Sequence, residues 1–586
     1  MGGAVSFSPN PAANLVGHWK RAGYHRKSEP SGSGFFTLSP LVSVTDLYRL
    51  WWVTALCDVR KEADVQIGMI RQPQSAEPRN PLIIVSNRGP FEHYRDGNGA
   101  LARRPAGGGV AIALSALLGR RELVWIAGAM TETDRELVSR GLDRATLENG
   151  HQLRFVAAPV DSFDLFYRTF SNPVLWFLQH SLWHLLDGRA GLQQQIAQSW
   201  EDGYLPANEA FADAVVEEIG TIRGVPRVMF HDYHLCLAPR YVRSLCPEAL
   251  LQHFIHIPWP GPEAWEVLPR FMVRAMCEGL LANDSVFFQT SESRQNFVLT
   301  CLAYLPGAFA DLTDSALTYR GRSIGIAVNP VSVDVFDLRR QLASPVVMSY
   351  QGALAGAEGL STIVRVDRLD PSKNILVGFQ AFELLLERHP EWIGRVRFLA
   401  FLVPSRDGIP EYQRYRDEVL SLIREINSRY GSGGWQPIAL YHEENRPQAL
   451  AGLSLYDVLI ANSLADGMNL VVKEGPIINQ RDGVVVLSTR AGAFQELSGG
   501  ALAIEPEEID GTAEALQRAL VMSAEERRER ALTLRRAVAR HDVNRWLEVQ
   551  MAAFKERRPA QALPLAPLMP PPSRQEPPAL IVGGIP

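Results

Sequence analysis

The run from Val458 to Glu474 constrains this chain more than any other segment. Val458-Leu459-Ile460 is a short apolar run of strand type, and the stretch ANSLADGMNLVVKE from Ala461 to Glu474 follows it, with a glycine turn and then an apolar segment that can continue as a helix. A strand, a glycine turn and a helix start in that order leave backbone N–H groups free at the positive end of a helix, where phosphate binds well. Asp466 just before the turn and Glu474 eight residues later add two carboxylates able to hold sugar or ribose hydroxyls. Four more polar clusters each stand at the end of an apolar run of their own, and the weight of the first rests on that recurrence.

Short apolar runs alternate with longer helical segments along most of the chain, the pattern of parallel sheets built from βαβ units. Strands are predicted at Leu82–Ser86, Val228–His231, His253–His256, Ile363–Val366, Val396–Val403, Val458–Ala461 and Val484–Ser488. A helix is predicted from Ser523 to His541, opened by the capping box Ser523-x-x-Glu526. The runs fall into two groups separated near Asn329 to Tyr350. The expected architecture is α/β, with two Rossmann-like, doubly wound domains at 79–332 and 333–556 facing a central cleft and ligands at the carboxyl ends of both sheets.

Residues 1–78 are rich in Ser, Gly and Pro and read as a poorly ordered extension, within which Tyr48–Leu56 with Trp51 and Trp52 is the one apolar patch and Met69 an alternative start. Residues 557–586 are proline-dense and read as an extended tail.

With 586 residues and 46% hydrophobic composition the chain can build two or three ordinary cores. Its net charge of −5 is small, and no basic face or arm of the kind nucleic-acid binders carry is concentrated anywhere. Five cysteines without CxxC spacing, Cys57, Cys236, Cys246, Cys277 and Cys301, argue against a disulfide framework or a zinc site and for reduced thiols in a cytosolic protein. No uncharged apolar run reaches membrane-spanning length, and no signal peptide pattern opens the chain.

Ser86-Asn87-Arg88 follows the first strand, and Gly107-Gly108-Gly109 precedes the apolar helix Val110–Leu118. Glycines let backbone approach a ligand closely, and a neighbouring arginine can clamp a phosphate through two hydrogen bonds. His231-Asp232-Tyr233-His234 and His256-Ile257-Pro258-Trp259-Pro260 end two further strands, so Asp232 and His256 can converge on one sugar. A metal site is disfavoured there, because no HExxH or third ligand at helical spacing accompanies the histidines. Arg368 and Lys373, in Arg365 to Lys373, suit a pyrophosphate leaving group, and Arg406 closes Val403-Pro404-Ser405-Arg406.

SNR, GGG, HDYH, HIPWP, DRLDxSK, VPSR and DGMNLVxKE, in this order from about Leu82 to Trp546, resemble the retaining glycosyltransferases of the trehalose-6-phosphate synthase family. The resemblance implies a GT-B fold, an N-terminal domain for an acceptor sugar phosphate, a C-terminal domain for a nucleotide sugar, and no cofactor or metal. It implies that Arg88, Tyr233 and Arg406 hold the acceptor phosphate, and that Tyr167 and Trp176 flank the acceptor sugar. It sets Asp232 and His256 at the reaction centre, Arg368 and Lys373 on the pyrophosphate, and Asp466 on the donor sugar. Gly109, Met468, Asn469 and Leu470 fall beside the donor phosphates and Glu474 on the ribose.

The activity so implied is transfer of glucose from a nucleoside-diphosphate glucose to glucose 6-phosphate, with front-face attack, in the cytoplasm. The donor base (UDP, GDP or ADP) and a homo-oligomeric state are left open. One departure concerns the acceptor. Where the family has a Gly-Trp pair this chain reads Val124-Trp125-Ile126-Ala127-Gly128-Ala129, so that Trp125 is offset into the sheet. Two alternatives follow: another phosphorylated acceptor, such as a glycerol or cyclitol phosphate, or a catalytically silent sensor of sugar phosphate. Intact Arg368, Lys373, Asp466 and Glu474 weigh against the sensor. Asn374 replaces the family's glycine after the lysine and tolerates positive φ.

Overall fold

Two sheets, parallel but for the edge strands of the first, carry the described residues, and the polar clusters gather at their strand ends. The computed structural model describes residues 81–556 apart from 107–108, 116–121, 148–149, 159–161, 312–314 and 357–358. The N-terminal extension with its Trp51-Trp52 patch, Cys57, Gly107, Gly108 and the proline-dense tail lie outside the described residues.

The first sheet begins with β1 (Leu82–Ser86), which leads into a hairpin of β2 (Phe91–Arg95) and β3 (Leu101–Pro105). It continues through β4 (Leu123–Gly128), β5 (Arg144–Thr146), β6 (Gln152–Val156), β7 (Arg227–His231), β8 (Leu250–Ile255) and β9 (Ser285–Phe288). The edge strands β10 (Phe309–Asp311) and β11 (Ala316–Tyr319) and the longer β12 (Arg322–Val328) complete it. Its ten strands lie in the order β10-β11-β12-β9-β8-β7-β1-β4-β6-β5, parallel except at the two edges. β1, with the sequence Leu-Ile-Ile-Val-Ser, is buried at every residue, as a central strand covered by helices on both faces must be.

The second sheet has six strands, β13 (Ser361–Arg368), β14 (Val396–Val403), β15 (Ile438–Tyr441), β16 (Val458–Ala461), β17 (Val484–Ser488) and β18 (Leu502–Ile504). They are all parallel, in the order β15-β14-β13-β16-β17-β18. In both sheets the strand order reverses direction about the first strand of the unit, the switch point where open α/β sheets bind ligands. β14, β16 and β17 have the predicted bounds, and β13 runs two residues further at each end.

The helix predicted at Ser523 forms over Ala524–Arg540, but its cap is half of the predicted box. Ser523 Oγ accepts from the Glu526 N–H, whereas the Glu526 carboxylate turns to Arg530 at 2.9 Å rather than back to the cap. The following helix, Val543–Glu556, returns to the first sheet. Trp546 packs edge-on against Phe254 at 5.4 Å, and Gln252 donates to the Gln550 carbonyl at 2.9 Å. Among the described residues no helix is long and apolar enough to cross a membrane.

Candidate active site

Arg88 stands two residues past β1. Ser86 Oγ donates to its carbonyl at 2.7 Å, and Trp125 Nε1, buried in β4, donates to Ser86 Oγ at 2.8 Å, so the offset tryptophan braces the loop from within the sheet. The Arg88 guanidinium contacts Glu92 at 3.0 Å and the Tyr167 hydroxyl at 3.3 Å. At Gly128 a Cβ would meet the Asn87 carbonyl oxygen at 2.8 Å. A side chain is therefore excluded there, and Met130, Thr131 and Phe163 form the nearby wall instead.

β7 ends at His231, and Asp232 turns the chain with φ of 73°. Its carboxylate accepts the His256 backbone N–H at 3.2 Å. Burial pushes this carboxyl up to about 7, against the pull of the His256 and Tyr233 N–H groups and of Arg406 and Arg368. The His256 ring faces His231 Nδ1 through Nε2 at 3.1 Å and Gln289 through Nδ1 at 3.3 Å, and burial lowers it to about 3, leaving it neutral. Both of its ring nitrogens thus have protein partners. Tyr233 is fully buried, with its hydroxyl donated to Asn172 Oδ1 at 2.8 Å.

In the second sheet β13 delivers Arg368 at its last residue, with the side chain 40% exposed. Asp370 follows and is the node of the site. Its oxygens accept from Ser372 N at 3.0 Å, Ser372 Oγ at 2.8 Å, Arg406 at 2.8 Å, the Tyr412 hydroxyl at 3.2 Å and, from the first half of the chain, Trp176 Nε1 at 3.3 Å. Burial alone would raise this carboxyl, but Arg406, Arg368, His180 and Lys373 outweigh it and hold it well below the usual carboxylate range. Asn374 adopts the left-handed conformation at φ 54° and bonds the carbonyls of Asn462 and Pro506, which sets the turn after Lys373.

Lys373 Nζ pairs with Asp466. Ser463 Oγ at 3.3 Å and Asn469 Nδ2 at 3.2 Å also donate to that carboxylate. Burial would raise its pKa, but the charge and hydrogen bond of Lys373 together with the charges of His180 and Arg368 lower it. The Met468 carbonyl accepts from Ala493 N at 2.8 Å, and Asn469 turns with φ of 71°. Leu470 then opens the helix Val471–Ile478, in which Glu474 pairs with Arg446 at 2.9 Å. Between Asp466 and Met468 only glycine fits, because a Cβ at Gly467 would lie 1.9 Å from the His256 carbonyl oxygen. The donor loop and the His256 segment therefore meet backbone to backbone. Gly109 approaches the same loop from the first half, with a built Cβ 3.1 Å from Leu470 Cδ1.

A pocket of about 250 Å³ is walled by Arg88 and Tyr167 from the first half and Arg406 from the second, while Asp232, His256, Arg368, Lys373, Asp466 and the 467–474 segment lie outside its wall. Trp176 lies behind Arg406, its indole stacked on His180 at 3.9 Å and covered by the Arg406 guanidinium at 4.0 Å. Burial would raise the Tyr167 hydroxyl, but Arg88, Arg406 and Arg368 lower it to about 8. Of the residues singled out for a phosphate, the structure thus joins Arg88 and Arg406 in one pocket, while Tyr233 stays outside its wall. Sequence reasoning gave no role to Asp370, Glu92, Arg104 or Arg446. Asp370 alone had a visible signal, a carboxylate placed between two cations in Arg368-Leu369-Asp370-Pro371-Ser372-Lys373. No group of three or more His, Cys, Asp or Glu able to hold a metal occurs among the described residues.

The bifunctional trehalose-6-phosphate synthase/phosphatase of Thermoproteus tenax is 34% identical over 478 residues, covering 79% of this chain and 62% of its own length. This chain therefore spans about three fifths of that relative. A Burkholderia xenovorans α,α-trehalose-phosphate synthase (UDP-forming) in complex with glucose-6-phosphate superposes with a TM-score of 0.69 at 28% identity, over 81% of this chain and all of that one. An E. coli trehalose-6-phosphate structure bound with UDP-2-fluoro glucose gives 0.69 at 28% identity, over 82% of this chain and all of that one. The two facing sheets and these neighbours make the fold GT-B. The model of glycosyltransferase family 20 matches residues 80–556, and with the motifs and pocket above it shows that this chain belongs to glycosyltransferase family 20.

Proposed function

We propose that this chain transfers glucose with retention from UDP-glucose to glucose 6-phosphate, releasing UDP and trehalose 6-phosphate. The observation that carries the reading is the pocket formed by Arg88, Tyr167 and Arg406 from both halves of the chain. Two arginines fit a phosphate monoester far better than a neutral sugar. The B. xenovorans neighbour with glucose-6-phosphate and the E. coli neighbour with UDP-2-fluoro glucose support the two substrate classes.

In this reading Arg88, Tyr167 and Arg406 grip the acceptor phosphate, with Trp176 and Tyr233 supporting the acceptor side. Arg368 and Lys373 take the diphosphate, Asp466 a donor-sugar hydroxyl, and Glu474 the ribose. Gly109, Met468, Asn469 and Leu470 offer close backbone to the donor. The bond from the glucose anomeric carbon to the UDP oxygen breaks while the acceptor oxygen bonds on the same face. The acceptor hydroxyl proton passes to the departing phosphate, whose charge Arg368 and Lys373 stabilise. Asp232 and His256 shape the reaction centre. The buried, unpaired thiols of Cys236, Cys246, Cys277 and Cys301 favour a reducing, cytoplasmic setting.

An acceptor screen with UDP- and GDP-glucose, following nucleoside diphosphate release, tests the reading. Glucose 6-phosphate with UDP-glucose is expected to give the highest kcat/KM, and equal turnover of unphosphorylated glucose would overturn it. A second reading, with a different phosphorylated acceptor, draws on one observation. The stretch Val124–Ala129 lacks the family's Gly-Trp pair, Gly128 leaves no room for a side chain, and Met130 and Thr131 wall the pocket. In the same screen a cyclitol or glycerol phosphate outrunning glucose 6-phosphate would select it.

A further inference from the structure

The pocket wall contains a cation that no family motif includes. Arg104 belongs to the β2–β3 hairpin and stands directly opposite Glu92 in the strand register. The Glu92 carboxylate is buried and divides itself between two guanidiniums, with Oε1 on Arg88 at 3.0 Å and Oε2 on Arg104 at 3.4 Å. The arginine side chains are 39% and 59% exposed, against 10% for the glutamate. A carboxylate inside and two partly exposed guanidiniums outside set two forks of N–H donors side by side on one acid. Each guanidinium carries five donors, so most of them stay available to a ligand.

The hairpin that presents Arg104 is anchored. Successive residues of a strand point to opposite faces, and next to Glu92 the side chain of His93 turns away from the pocket. His93 Nδ1 lies 2.9 Å from Asp134 Oδ1, the His93 N–H donates to the same oxygen at 3.1 Å, and its carbonyl accepts from Thr131 Oγ1 at 2.8 Å. Asp134 also completes the N-terminal capping box of the helix Glu132–Ser139 with Thr131. One face of the hairpin is thus fixed to the body of the sheet, while the other holds Glu92 and Arg104 at the pocket. With Arg88, Arg104, Arg168 and Arg406 in the wall against Glu92 and Asp407, the pocket stays cationic overall.

We propose that Arg104 is a further specificity-determining residue for the acceptor, reading its dianionic phosphate together with Arg88 and Arg406, with Glu92 as the residue that positions Arg88 and Arg104 as a pair. The inference rests on the acceptor-phosphate reading of the pocket. It narrows the acceptor class to monoesters with two negative charges.

The test compares wild type, Arg104→Gln and Arg104→Lys in steady-state kinetics with UDP-glucose and glucose 6-phosphate. In parallel, competition by inorganic phosphate is measured, and calorimetric titration of inorganic phosphate into each full-length protein gives a readout independent of turnover. Arg104→Gln is expected to raise KM for glucose 6-phosphate about tenfold and weaken phosphate binding to a similar degree, with KM for UDP-glucose within about twofold. Arg104→Lys should recover part of the loss, since it keeps the charge but not the fork. A purely structural role would move both KM values or the melting temperature together. An active wild type with unchanged acceptor KM and phosphate affinity in Arg104→Gln would overturn the role of Arg104 alone. If wild type does not turn over glucose 6-phosphate, the proposed reaction fails, and the phosphate titrations still decide whether Arg104 binds the anion.

Discussion

Asp370 accepts the indole N–H of Trp176 at 3.3 Å across the cleft, joining residues that are 194 positions apart in the chain. The same carboxylate holds Arg406, which covers the Trp176 ring, so one buried acid fixes two groups of the acceptor side and, through Ser372, the turn that carries Lys373.

Replacing Asp370 by alanine leaves the Arg406 charge and the Trp176 and Tyr412 donors without their buried partner. The expected loss of stability is roughly 3–5 kcal/mol, the range for breaking a buried ion pair from one side. Because the folded-state pKa of Asp370 is depressed, its contribution is fully present above the unfolded value and is lost only as pH falls through the folded value. Urea unfolding of both proteins should therefore show a gap that persists from neutral pH down to mildly acid conditions. A gap under 1 kcal/mol at pH 7 would remove Asp370 as the node.

Arg368→Ala is expected to lower kcat by a factor on the order of 10²–10³, as loss of one transition-state charge stabiliser commonly does. Its partly exposed side chain makes only loose contacts, 3.8 Å to Asp370 and 5.4 Å over the Trp176 ring, so the melting temperature should barely move. Lys373→Ala should lower kcat similarly and also destabilise, because Lys373 pairs with Asp466 and both side chains are nearly buried. Near wild-type turnover in both variants would remove these two residues from the leaving-group site.

Asp232 carries the opposite pH signature. Its folded pKa of about 7 lies above the unfolded value of about 3.9, so the fold holds a proton that the unfolded chain has released. Its protonation therefore favours the fold below about pH 4, and that advantage is lost as pH rises through 7. Asp232→Asn, which can still accept the His256 N–H, should be about 1–3 kcal/mol more stable than wild type at pH 8, a figure reduced for solvent at the cleft mouth. The two proteins should converge near pH 4. Equal stability at both pH values would show that the carboxyl ionises normally.

Activity should survive excess EDTA. The pocket and the β13 end supply arginines and Lys373 for the phosphate charges, and no group of metal-ligating residues is assembled among the described residues. Loss of turnover restored by Mg²⁺ or Mn²⁺ would count directly against this arrangement.

Much of the scaffold could be read locally. Val396–Val403, Val458–Ala461 and Val484–Ser488 form at the predicted bounds, because a buried parallel strand needs an uninterrupted apolar run and such runs are visible one at a time. The left-handed turn at Asn374 and the packing of Trp125 into β4 were legible for the same reason, since each depends on neighbours within a few residues or on one strand face. The reciprocal half of the Ser523 cap was not, because the Glu526 carboxylate had a competing cation, Arg530, one turn away.

The sequence by itself determined the two α/β units and placed Arg88, Asp232, Arg368, Lys373 and Asp466 at or just beyond strand ends, since these follow from short-range periodicity and turn chemistry. Only the tertiary structure decided which of those side chains share a pocket. Arg88 meets Tyr167 from 79 residues away, Trp176 meets Asp370 from 194, and Gly467 touches the His256 carbonyl only because the two sheets face each other. Glu92 pairs with Arg104 only through the hairpin register. The Trp176–Asp370 and Gly467–His256 contacts depend on the relative position of the two sheets, and the Arg88–Tyr167 contact on packing within the first unit, which burial of the core sets and no local pattern encodes.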